Sequence, residues 1–147
     1  MIRYERMNES HVPQIAKLET VCFSDPWSEN SIASELHNPL SLWLVAMDGD
    51  ALAGYVGSQA VMGEADMMNI AVAPDYRRQG IAGELVNRLV EALSADGNHS
   101  LALEVRESNQ AAISLYHKLG FTQVGFRPGY YRNPKEGALI LRKEWHV

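Results

Sequence analysis

Apolar and polar positions recur along this chain with two different periods, and the switches between them mark its elements. Ile2 to Met7 has strand character, and Asn8-Glu9-Ser10 supply helix-start residues ahead of Val12, Ile15, Ala16, Leu18 and Val21, an apolar set on a helical spacing. A second helix is predicted to open at Ser28, with Glu29 and Ser31 behind it, and to bury Ile32, Ala33 and Leu36. Three strands follow, Ser41 to Met47, Ala51 to Gln59 and Glu64 to Val72. The separators Asp48-Gly49-Asp50 and Met62-Gly63 have the turn chemistry that joins antiparallel neighbours. From Gln79, the positions Ile81, Leu85, Val86, Leu89, Val90 and Leu93 line one helix face, which Asp96-Gly97-Asn98 ends. Leu101 to Val105 is a further strand. It leads to the N-cap residues Ser108-Asn109 and a helix carrying Ala112, Ile113, Tyr116 and Leu119 that stops at Gly120. Phe121 to Phe126 and Ala138 to Arg142 complete the pattern as two strands paired around a connecting segment, Arg127 to Glu136.

The order β-α-α-β-β-β-α-β-α-β-β predicts an α/β (α+β) fold, a single domain over residues 1–147 with a mixed central sheet flanked by helices. Its first half is antiparallel, and crossovers build the second. Ligands of such sheets sit at the carboxyl ends of strands, which places "RRQGIA" and the end of "LALEV" on one rim.

Composition narrows the classes. A chain of 147 residues, 46% hydrophobic and 21% charged, has enough apolar material to bury a core without disulfides or a structural metal. Its one cysteine, Cys22, has no internal partner, and the five histidines show no metal spacing, so a reducing cytoplasm and no metal are expected. The N-terminus lacks an apolar stretch of signal-peptide length, and the longest apolar run, Leu40 to Met47, is too short to span a bilayer, so no membrane association is expected. A formal net charge of −5 argues against a nucleic-acid surface and for a cationic partner. A monomer is expected.

The chemistry concentrates after the strand Asn69-Ile70-Ala71-Val72. In Arg77-Arg78-Gln79-Gly80-Ile81-Ala82, a glycine stands where backbone must approach a ligand and an alanine where a side chain must stay small, just as a helix begins. Successive N–H groups backed by a helix dipole hold anions. The stretch lacks GxGxxG and the Gly-Lys-Ser/Thr of a Walker loop, and a pyrophosphate fits best. Glu104 sits in an otherwise apolar strand, on a wet rim or buried; a buried carboxylate there would be a stronger base. Tyr116, seven residues after Asn109, would point back toward the same rim.

"NIAV", Arg77-x-x-Gly80-x-Ala82 and "LEVRESNQAAISLYHKLGF", together with "DPWSEN" and "GYYRNPKEGALIL", resemble the GCN5-related N-acetyltransferases over nearly the whole chain. The resemblance implies that acetyl-coenzyme A lays its pyrophosphate on the loop of Arg77, Arg78, Gln79, Gly80, Ile81 and Ala82. It implies that the pantetheine arm pairs with Ile70, Ala71 and Val72 where two strands splay apart, and that Asn109 and Tyr116 contact the cofactor. By the same resemblance Glu104 is the general base, Tyr116 the proton donor to the leaving thiolate, and Trp27, Tyr130 and Tyr131 border the acceptor. The implied acceptor is the α-amine of a protein N-terminus, most specifically the alanine of a small-subunit ribosomal protein. The alternatives are a small-molecule amine as acceptor, or a non-catalytic acyl-coenzyme-A sensor. One departure stands out: where such proteins often read Glu-Asp-Ala before the last strand, this chain has Glu136-Gly137-Ala138.

Overall fold

Ser41–Asp48 is buried along almost its whole length because both of its faces are covered. Leu42, Leu44 and Ala46 enter one apolar cluster, while Trp43, Val45 and Met47 enter a second on the other side. A strand covered on both faces needs a continuous apolar run rather than alternation, as "LWLVAM" provides. This computed structural model describes residues 1–132 and 134–146.

In chain order the elements are β1 (Ile2–Arg6), α1 (Val12–Cys22), α2 (Glu29–Glu35), β2 (Ser41–Asp48), β3 (Ala51–Val61), β4 (Glu64–Val72), α3 (Ile81–Ala95), β5 (Ser100–Arg106), α4 (Gln110–Lys118), β6 (Thr122–Tyr131) and β7 (Glu136–Glu144), with short 3₁₀ turns at Glu9–His11 and Pro74–Tyr76. Among the described residues the strands form one sheet in the order β1-β2-β3-β4-β5-β7-β6. β4 and β5 are parallel and the other neighbours antiparallel, so the predicted mixed sheet is present. α3 buries Ile81, Leu85, Val86, Leu89 and Leu93 against one face, each contributing about 1.5–3 kcal/mol. α1 and α2 cover the first strands from the other side with Val12, Ile15, Leu18 and Ile32. The Met62-Gly63 turn has φ of 53° and 86°, the left-handed pair that a tight hairpin requires.

Two expectations need correction. Val21 is 60% exposed, and the residue buried in its place is Glu19. At about 100° per residue, Glu19 falls within about 40° of Ile15, whereas Val21 falls about 120° away, so Val21 lies off the buried face. The predicted connecting segment after Phe126 is also largely strand, since β6 runs on to Tyr131.

Candidate active site

β4 and β5 pair only at Glu64 with Ser100, Ala65 with Leu101 and Asp66 with Ala102. Beyond that point β4 continues with β3 as far as Val72, and β5 continues with β7 as far as Arg106. The two strands therefore diverge, and the facing edges of residues 67–72 and 103–106 have no ladder between them among the described residues. A bulge accompanies the divergence: Ser58 pairs with Met67 but Gly57 with Asn69, leaving Met68 as an extra residue that bends β4. An unpaired strand edge inside a domain needs another hydrogen-bonding partner. An extended arm rich in amides fits it, and Ile70, Ala71 and Val72 lie on that edge.

At the mouth of the cleft, α3 begins without a side-chain cap. Gly80 occupies the N-cap position with φ of 78°, and among the described residues no side chain satisfies the first-turn N–H groups. By contrast, Ser28 caps α2 and Asn109 caps α4. A Cβ at Gly80 would meet nothing within 4 Å, so backbone conformation and an open approach, not packing, select glycine here. Arg78 is also left-handed, with φ of 64°, and both Arg78 and Gln79 are exposed. Uncapped donors, a helix dipole and open space suit a pyrophosphate.

The other loop residues divide by role. Ile81 is buried in the core, so only its backbone faces outward, and Ala82 is half-buried. Arg77 donates from Nε to the Val72 carbonyl at 3.1 Å and from Nη2 to Cys22 Sγ at 3.5 Å. Its side chain therefore braces the loop against the end of β4. Tyr76 adds a second brace through its hydroxyl to Asp48 Oδ2 at 2.8 Å. Asn109 Oδ1 accepts from the Ala112 N–H at 3.2 Å, as an N-cap should, which leaves its side-chain NH₂ as a donor.

Glu104 and Tyr116 approach the gap from opposite sides. Leu101, Leu103 and Val105 point into the core, so Glu104 points the other way and is exposed. Of the two situations open to it, the wet rim is the one realised. Tyr116 packs edge-on against Phe121, ring centroids 5.5 Å apart, and is 5% exposed. Burial, and then the neighbouring Tyr131, push its pKa up to about 12. Tyr131 is half-buried and is likewise pushed up to about 12, first by burial and then by the Glu104 charge. Tyr130 stands edge-on to Tyr131 at 5.0 Å, and its pKa is raised first by interaction of its hydroxyl with the Glu104 carboxylate. The carboxylate and the three phenols thus form one electrostatic group across the gap.

Trp27 packs against the apolar cluster that includes Ala71 of β4. It packs edge-on to Trp43 at 5.4 Å, and Trp43 stacks on Tyr55. Its loop is held by Glu19, which sequence reasoning missed. Glu19 accepts from the Trp27 N–H at 2.8 Å, from Asn69 Nδ2 at 2.7 Å and from the Tyr55 hydroxyl. Burial raises its pKa against the lowering effect of the hydrogen bonds from Trp27 and Asn69. A carboxylate at i+4 from Ile15 on an apolar helix face was the available signal.

The Gly137 departure has a packing cause. A Cβ there would come within 2.3 Å of Phe126 Cζ, so the Phe126 ring occupies the space above this glycine. Gly137→Asp is expected to cost about 1–2 kcal/mol through displacement of that ring, read as a lower urea midpoint at unchanged slope. Phe126→Ala in the same chain should recover most of the loss; no recovery would mean that the ring is not the obstacle.

The acetyltransferase (GNAT) family pattern matches residues 12–121. The chain is 36% identical over 137 residues to the [ribosomal protein bS18]-alanine N-acetyltransferase of Escherichia coli K12, covering 92% of each chain. It is also 36% identical over 138 residues to the enzyme of the same name from Salmonella typhimurium, again covering 92% of each. The crystal structure of the ribosomal-protein-S18-alanine N-acetyltransferase from Escherichia coli superposes with a TM-score of 0.92 at 34% identity, over 100% of this chain and 96% of that one. With the diverging strands and the uncapped α3 already in place, these matches establish that the chain belongs to the GNAT acetyltransferase family.

Proposed function

We propose that this protein transfers the acetyl group of acetyl-coenzyme A directly to the α-amine of a protein N-terminus, the acceptor being the N-terminal alanine of ribosomal protein bS18 that its relatives are named for. The observation that carries this reading is the divergence of β4 and β5, with the uncapped N-terminus of α3 at one end and Glu104, Tyr130 and Tyr131 at the other. Acetyl-coenzyme A is the co-substrate of the family. Its pyrophosphate would rest on the N–H groups that follow Gly80, and its amide-rich arm would pair with the open edge of Ile70 to Val72.

The chemistry follows from the groups that face the gap. The acceptor nitrogen must be neutral to attack. With a pKa of about 7.7–8.0, on the order of a tenth of an α-amine is already neutral at pH 7, whereas a lysine amine near 10.4 is almost wholly protonated. An exposed carboxylate such as Glu104 is a sufficient base. As the C–N bond forms and the C–S bond breaks, the amine proton passes to Glu104 and negative charge collects on sulfur. Tyr116 is positioned to donate a hydrogen bond to that sulfur. With its pKa pushed up to about 12 against about 8.5 for a thiol, complete proton transfer would run uphill by about 5 kcal/mol. Tyr116 therefore stabilises the thiolate, which takes its proton after leaving. The enzyme acts as a cytoplasmic monomer in this reading, without a metal.

The test is a steady-state comparison of an alanine-starting peptide, the same peptide with its α-amine blocked and a lysine retained, and spermidine, with the added acetyl located by mass spectrometry. Only the free N-terminus should be modified efficiently. Turnover of spermidine or of the blocked peptide in its place would sink the N-terminal reading. Tyr131→Ala should raise KM for the free peptide roughly tenfold while acetyl-coenzyme A affinity stays near wild type, because the ring borders the acceptor end of the cleft.

A further inference from the structure

Arg106 is the last residue of β5 and shares a strand face with Glu104, yet its guanidinium engages a different set of partners. Nη1 donates to the Pro134 carbonyl at 2.9 Å and to Glu136 Oε2 at 3.1 Å, and Nη2 donates to the Arg132 carbonyl at 3.0 Å. The same group lies over the Tyr131 ring, its Cζ 4.4 Å from the centroid. The second oxygen of Glu136 accepts from the Ser108 N–H at 3.0 Å, directly before the N-cap of α4. Glu107 closes the junction, its N–H donating to the Gly137 carbonyl at 3.1 Å and its Oε1 accepting from the Gly137 N–H at 3.2 Å. The connection between β6 and β7 is thus fastened to the strand that carries Glu104 and to the helix that carries Tyr116.

We propose that Arg106, held in place by Glu136, is a positioning residue of the acetyl transfer: it fixes the Tyr131 ring beside Glu104 and Tyr116 and so sets the path by which the acceptor amine enters. The fork geometry is what the task requires. A planar guanidinium can hold two carbonyls and a carboxylate in its plane while its face covers a ring; a lysine cannot do both. Pairing also matters for charge. Arg106 and Glu136 are 28% and 14% exposed in their side chains, so the pair offsets a cation that would otherwise repel an incoming ammonium or compete for Glu104. The amide interactions cost nothing in specificity, because they use backbone carbonyls whatever the side chains of Arg132 and Pro134.

The proposal rests on the α-amine acetyltransferase reading for its kinetic test but not for its structural one. In Arg106→Gln, KM for the alanine-starting peptide should rise roughly tenfold, with the acetyl-coenzyme A dissociation constant within about twofold of wild type. In a Tyr131→Ala background the same change should add less than about twofold, because the ring that Arg106 positions is already gone. An equal rise in both backgrounds, or an equal loss of acetyl-coenzyme A affinity, overturns the proposal. Should Arg106→Gln fail to fold, Glu136→Gln keeps the guanidinium and breaks only its carboxylate leg, and the same cycle is read with the same outcomes. Independently of any turnover, hydrogen exchange at the amides of Phe126, Arg127 and Gly129 to Arg132 should accelerate in whichever variant folds, and unchanged exchange also overturns it. If the wild type acetylates no peptide N-terminus, the function reading fails while the exchange result still decides whether Arg106 fixes the hairpin.

Discussion

Gly80→Glu is expected to abolish measurable acetyl-coenzyme A binding while leaving the fold in place. The two halves of that result have separate causes. A Cβ at this position meets nothing within 4 Å, so the substitution costs only the left-handed conformation, about 1–2 kcal/mol for a residue with a side chain at φ of 78°. Binding suffers far more, because the new carboxylate stands at the uncapped end of α3, where the proposed function puts the pyrophosphate. Two like charges 4 Å apart repel by about 4 kcal/mol at the effective dielectric of a protein surface, close to a thousandfold in affinity. Gly80→Ala carries the same backbone strain without the charge and separates the two effects. Titration calorimetry of both variants reads the difference; equal affinities in the Ala and Glu variants would mean that no anion sits at this helix end.

Much of this arrangement is legible in the sequence because local chemistry and tertiary need coincide. The Met62-Gly63 turn, the apolar face of α3 and the cap of α4 at Asn109 each follow from residues that could serve little else. The glycine that opens α3 is legible for the same reason, since a left-handed N-cap without a side-chain acceptor suits glycine and leaves donors free. The failures have an equally physical origin. β6 is an edge strand with most of its residues exposed, so it shows no alternation, and Pro128-Gly129 within it looks like a connection. An edge strand can accommodate both, proline because its missing N–H faces no partner, and glycine with φ of 62° at an irregular register. Glu19 escaped because a carboxylate on an apolar face is ordinarily an error, and its three donors come from elements 8, 36 and 50 residues away. The contacts of Arg106 were less accessible still. Two of its acceptors are backbone carbonyls, and every residue has one.

Glu104→Gln is expected to lower kcat by roughly 10²–10⁴ at neutral pH, the usual contribution of a positioned base. The substitution keeps the shape of the side chain and removes its charge, and the exposure of Glu104 means that no buried partner is left unpaired. Acetyl-coenzyme A affinity should therefore hold. The informative variable is pH. Toward pH 9 most of an α-amine with pKa of about 7.7–8.0 is neutral without assistance, so the gap between variant and wild type should narrow as the pH rises. The phenols across the cleft do not confuse that reading: Tyr116 and Tyr131, both pushed up to about 12, keep their protons throughout this range, so loss of a phenolic proton cannot imitate it. Removing the Glu104 charge also takes away one of the influences that raise the Tyr130 and Tyr131 pKa values. A defect of constant size from pH 6.5 to 9 would assign Glu104 to holding the ammonium or a water in place and would remove it as the base. A defect that closes as the amine deprotonates leaves proton abstraction as its contribution.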